Sequence, residues 1–60
     1  MRDIEELMDH LSKISKDWSF QYTNNKYLIS ASSIHLELFV VADTLYDGLN
    51  KVIYKIEAKN

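Results

Sequence analysis

An α+β fold of order α-β-β-β-α, with a three-stranded antiparallel sheet and both helices on one face, is predicted by three features of this chain. Apolar residues recur at helical spacing as far as Ile14, alternate with polar ones from Trp18 onward, and return to helical spacing after Ala42. Two polar dipeptides, Asn24-Asn25 and Ser32-Ser33, stand where tight turns would cut the alternating stretch into three strands. With both taken as two-residue turns, ten apolar or aromatic residues share one face: Tyr22 opposes Tyr27, Phe20 opposes Ile29, Trp18 opposes Ala31, then Ala31 opposes Ile34, Ile29 opposes Leu36, Tyr27 opposes Leu38, and Val40 continues the row. A one-residue slip in either hairpin would turn a whole strand of apolar side chains outward, so the agreement of the two hairpins specifies the face.

The first helix is expected to start near Ile4. Asp3 followed by Glu6 is an acidic form of the capping box, and Glu5 and Glu6 suit the positive end of the helix dipole. Ile4, Leu7, Met8, Leu11 and Ile14 form the apolar stripe, opposite Glu5, Glu6, Asp9, Lys13 and Lys16. Asparagine tolerates positive φ better than other side chains, so the first turn is well specified. Serine does not, and a longer second loop with a bulge is the alternative, which would expose a different set of residues on the third strand. For the last helix Thr44 with Asp47 offers a capping box and Asp43 a competing cap, ahead of Leu45, Leu49, Val52, Ile53 and Ile56. Gly48 inside that helix costs about 1 kcal/mol relative to Ala, which signals either a close backbone approach or a tolerated weakness. Trp18, placed on the core face, is expected to cost about 3–5 kcal/mol when cut to Ala.

The 60 residues make a single small domain, 1–60. A chain this short buries only about 60% of the surface its unfolded form exposes, and small domains compensate with disulfides, a metal or self-association. Cysteine is absent and only two histidines are present, His10 and His35, so self-association is the remedy left. The absence of Cys excludes thiolate zinc and a disulfide scaffold and fits a reducing, cytoplasmic setting. Acidic residues interrupt the apolar positions of the first eleven residues, and the longest apolar run, Leu38 to Ala42, is far short of a membrane span. Seven basic against nine acidic residues give a net charge of −2, which argues against broad phosphate binding and favours a protein partner.

No catalytic residues, cofactor site or metal site emerge. The sheet separates His10 from His35, no Ser stands at a strand-turn-helix elbow, and a His35/Glu37 pair offers two metal ligands where a site needs three or four. The chain is therefore expected not to be an enzyme. Candidate interface residues are Leu28, His35, Glu37, Phe39 and Val41 on the outer sheet face and third strand, and Tyr46, Asn50 and Tyr54 along a ridge of the last helix. Leu28, Phe39 and Val41 are apolar where the alternation wants polar residues, with Leu28 opposite Glu37 and Phe39 opposite Lys26 in the expected register. The third strand, long, apolar and free of proline, lies at the sheet edge, an exposure that pairing with a second copy would remove. A homodimer follows, through that edge, the sheet face or the last helix.

The α-β-β-β-α order resembles the double-stranded-RNA-binding domain over the whole chain, as topology. That family's Gly-Pro-x-His turn is absent between Tyr22 and Lys26, and its Lys-Lys-x-Ala-Lys cluster is absent between Thr44 and Gly48, so no RNA-binding residues carry over. A stripe of Lys51, Lys55 and Lys59 leaves a nucleic-acid-associated regulator as an alternative, and an assembly or antitoxin-like subunit as another. In size and in surface character, with Leu28, Phe39, Val41, Tyr46 and Tyr54 exposed on a minimal fold, the chain resembles the small phage-encoded proteins that block bacterial immunity, Hachiman anti-defence proteins among them. That resemblance implies a non-enzymatic inhibitor in the host cytoplasm that occupies a surface of a host protein.

Overall fold

Helix α1 (Ile4–Ile14) begins where the Asp3 carboxylate accepts a hydrogen bond from the Glu6 N–H at 2.8 Å, the interaction that defines a cap. It ends at Ser15, whose N–H donates to the Leu11 carbonyl at 3.0 Å and whose hydroxyl donates to the same oxygen at 2.6 Å. The computed structural model describes residues 3–34 and 36–59, of Lys59 the backbone only. After α1 come β1 (Asp17–Thr23), β2 (Lys26–Ser32), β3 (Glu37–Ala42) and α2 (Leu45–Lys59), the expected order. The sheet is antiparallel with strand order β1-β2-β3.

The first hairpin has the expected register, Tyr22 opposite Tyr27, Phe20 opposite Ile29 and Trp18 opposite Ala31. Asn24 and Asn25 hold φ angles of 52° and 62°, the paired positive values of a tight turn whose twist matches that of the strands it joins. The second hairpin corrects the sequence reading. Ala31 opposes Leu38 rather than Ile34, Ile29 opposes Val40 rather than Leu36, and Tyr27 opposes Ala42 rather than Leu38. Ser32 stays in β2, and the Ser33 N–H donates to the Leu36 carbonyl at 2.7 Å, so the reversal lies beyond the serine pair. The displacement is even, so every β3 side chain keeps its face while its neighbours change. Ile34, expected in the apolar row, is 87% exposed beyond the strands.

The core is a single apolar layer between the helices and the inner sheet face. Leu7 and Leu11 of α1 meet Ile29, Ala31 and Val40 of the sheet and Leu49, Val52, Ile53 and Ile56 of α2. Among the described residues none of the buried ones is polar or charged. Gly48 marks a close approach of α2 to the sheet: a Cβ there would overlap Ile29 Cδ1 and meet Ala42 Cβ at 3.4 Å. The Thr44 hydroxyl accepts from the Asp47 N–H at 3.1 Å, which settles the capping of α2. Asp43, the rival cap, instead accepts from the Lys26 ammonium.

That bond and the Lys26 charge hold the Asp43 carboxyl below its ordinary value, against a small opposing effect of desolvation. Because the folded value is the lower one, the pair's contribution is complete at neutral pH and is lost as pH falls through the depressed value. Asp43→Asn is expected to remove this pH-dependent part of the stability. The gap between wild type and variant in urea melts should be small at neutral pH, since the pair is exposed, and should close in acid.

Candidate interaction surface

Side chains of odd-numbered β3 residues point away from the helices, and the observed register gives them a new environment. Leu28 opposes Val41, Ser30 opposes Phe39, and Ser32 opposes Glu37. The expected pairs Leu28 with Glu37 and Phe39 with Lys26 are therefore not formed. Leu28 and Val41 instead make an apolar cross-strand pair, with Phe39 on the diagonal, a separation that an aromatic side chain spans. Phe39 is 62% exposed, Val41 is exposed and Leu28 half-buried. These three form one apolar cluster on the β2–β3 half of the outer face. The β1 half carries Ser19, Gln21 and Thr23, and the Ser19 and Ser30 hydroxyls lie 3.2 Å apart.

Beside this cluster, at the end of the sheet where β1 begins, a shallow depression of about 470 Å³ is lined by Asp17, Ser32 and Glu37 together with Phe39. Its polar groups are two carboxylates and short hydroxyls, and it lies open to solvent. Among the described residues no three His, Asp or Glu side chains are grouped to hold a metal ion. The His10 Nε2 lies 2.9 Å from a Glu57 carboxylate oxygen, a contact that ties α1 to α2. His35 lies outside the described residues, and so does the side chain of Lys59 in the lysine stripe. Lys51 and Lys55 are exposed. Among the described residues no helix is long and apolar enough to cross a membrane.

The expected ridge of α2 divides into three environments. Tyr46 is half-buried and packs against the core. Asn50 turns its amide back to donate to the Tyr46 carbonyl at 3.0 Å. Tyr54 stands in solvent, 74% exposed, over an apolar depression lined by Leu36, Leu38, Lys55 and Ala58 next to β3. The residues gathered around β3 are thus Leu28, Phe39 and Val41 on its outer side and Tyr54 with Leu36 and Leu38 on its helix side.

A second apolar surface is absent from the sequence-derived candidates. Phe20 and Tyr22, assigned to the covered face, are 43% and 58% exposed. They do lie on the helix side of the sheet, with Tyr22 packed on Tyr27 at a ring separation of 4.7 Å and Phe20 stacked on Trp18 at 6.3 Å. Helix α1 leans on α2 and touches β1 only sparingly. The short link through Ser15 and Lys16 holds only the end of α1 over the start of β1, where the Trp18 Nε1–H donates to the Ser12 hydroxyl at 3.0 Å. Farther along β1 no comparable contact among the described residues covers the aromatic row. Only Leu7 and Leu11 of α1 are buried, and the alternation that marks the apolar side of β1 carries no signal of whether a helix shelters it.

Comparison of the chain with protein-family models, with curated proteins and with solved structures finds no match.

Proposed function

We propose that this chain is a non-enzymatic protein-binding module, a phage-encoded inhibitor of a bacterial immune defence that acts in the host cytoplasm as a homodimer by covering a surface of a host protein. The observation that carries the proposal is the Leu28–Val41–Phe39 cluster, an apolar patch facing solvent on a sheet whose other face already holds the core. Contiguous exposed apolar groups of this kind mark interaction sites, and an aromatic side chain at the centre of such a patch commonly dominates affinity. The small size and apolar-aromatic surface are the grounds of the resemblance to anti-defence proteins. Inhibition needs only occupancy: a small rigid body seated on a functional surface excludes whatever that surface normally binds.

The test is plating of phage on strains that each carry one defence system, with and without the expressed chain. Restored plaque formation on one strain, together with co-purification of a component of that system in stoichiometric amount, is the expected result. Phe39→Asp is expected to weaken that association by at least about 30-fold, the effect of losing an anchor worth about 2 kcal/mol, while circular dichroism stays unchanged. Retention of the partner at high salt separates this reading from phosphate-driven binding through Lys51 and Lys55, which weakens steeply with salt. Full plaque restoration by both Phe39→Asp and Tyr54→Asp would overturn the surface assignment.

A further inference from the structure

Strand β3 is built like an interior strand and yet lies at the edge of the sheet. Its sequence from Glu37 to Ala42 is apolar at every position after the first, with buried Val40 and Ala42 facing the helices and exposed Phe39 and Val41 on the other side. Strands that are apolar on both faces are those covered on both sides in a larger sheet. The opposite edge differs, since β1 alternates aromatic residues with Ser19, Gln21 and Thr23. Edge strands are normally protected by proline, lysine or a bulge. β3 has no proline and no lysine, and its pairing with β2 runs unbroken from Glu37 to Ala42.

The hydrogen-bond phase of the ladder identifies which backbone groups the edge leaves free. The Ser33 N–H bonds the Leu36 carbonyl, and in an antiparallel pair bonded positions alternate. Leu38, Val40 and Ala42 therefore turn their amides toward β2, and Glu37, Phe39 and Val41 turn theirs toward the open edge.

We propose that two copies of the chain join through this edge, β3 antiparallel to β3 across a two-fold axis at Phe39, to form one continuous six-stranded sheet. The proposal rests on the homodimer reading above and assigns its interface. In this register Phe39 opposes Phe39 of the second copy, Leu38 opposes Val40, and Glu37 opposes Val41, so no like charges face each other. The register centred on Val40 would instead set Glu37 against Asp43 of the second copy, which like-charge repulsion disfavours. A stable interface takes about 800 Å² per partner, roughly a fifth of the 4272 Å² surface of this chain and more than a six-residue backbone edge supplies. The flanking groups supply the rest: the axis stands normal to the sheet, so the depressions under Tyr54 come together on the helix side. On the outer side the two Leu28–Val41–Phe39 clusters merge into one apolar strip, free to engage a host protein.

The test combines molar mass by sedimentation with hydrogen exchange of backbone amides. Wild type should run at twice its 7.1 kDa mass, with the Phe39 and Val41 amides protected at high concentration and exposed on dilution. Val41→Pro removes an N–H that only the edge uses and should give a folded monomer. Val41→Thr keeps that N–H and should remain a dimer. A wild-type monomer at high micromolar concentration would overturn both this interface and the homodimer reading. A dimer whose Phe39 and Val41 amides exchange freely at every concentration, or one lost equally in Val41→Pro and Val41→Thr, would overturn the edge interface and leave the homodimer standing. Should Val41→Pro fail to fold, the exchange pattern of wild type decides the question by itself.

Discussion

Replacing Gly48 with Val is expected to destabilise the domain by about 3 kcal/mol, through overpacking, and to lower the melting temperature by roughly 10–25 °C for a chain of this size. Helix propensity alone gives the opposite sign, because Val is a better helix former than Gly. Packing wins here because the added Cβ would occupy the space of Ile29 Cδ1 with Ala42 close behind, and Ile29 is fully buried. Gly48→Ala should lose about 1 kcal/mol, its overlap cost exceeding the helix gain of about 1 kcal/mol. Ile29→Val removes the clashing methyl group. In that background Gly48→Ala is expected to stabilise, with a coupling of about 1–2 kcal/mol between the two sites. Chemical denaturation of the four proteins of this cycle checks the assignment. A Gly48→Ala protein more stable than wild type would show that Ile29 Cδ1 can turn aside or that α2 can step back from the sheet.

The second large effect is a contrast between two apolar side chains of the helix layer. Leu11→Ala should cost about 3 kcal/mol, since Leu11 is fully buried where α1, α2 and the sheet meet. Phe20→Ala should cost about 1 kcal/mol, because at 43% exposure its ring has less buried area to lose than the fully buried Leu11. Trp18 falls between: half-buried and bonded to Ser12, it should cost about 2 kcal/mol when truncated, below the value expected of a core residue. Urea melts of the three variants rank them. A Phe20→Ala loss as large as that of Leu11→Ala would mean that the aromatic row of β1 is covered in solution, by a second copy or by α1 itself.

The element order was legible in the sequence because each element carries its own period. Asp3 and Thr44 announced the two helix starts by the hydrogen bonds they make, and Asn24-Asn25 fixed the first hairpin because its side chains tolerate the φ angles that the turn needs. Ser32-Ser33 misled, since serine does not stabilise such angles and Ser32 is content in an extended strand. Parity rescued the face assignment: a displacement by an even number of residues left Phe39 and Val41 outward. It could not rescue the cross-strand neighbours, so the Leu28–Val41 contact was invisible until the strands were in place. Coverage of β1 was beyond reach for a different reason. Period-two alternation reports which side of a strand is apolar, and the docking angle of a short helix, set here by α1 leaning on α2, decides whether that side is sheltered.

The Trp18–Ser12 hydrogen bond has an optical consequence. Trp18 is the only tryptophan in the chain, and its indole bonds α1 where that helix meets the start of β1. Its fluorescence therefore reports the seating of a single helix end rather than the average state of the molecule. An emission shift that precedes the loss of helical ellipticity on heating would time the lifting of α1 from the sheet as an event of its own.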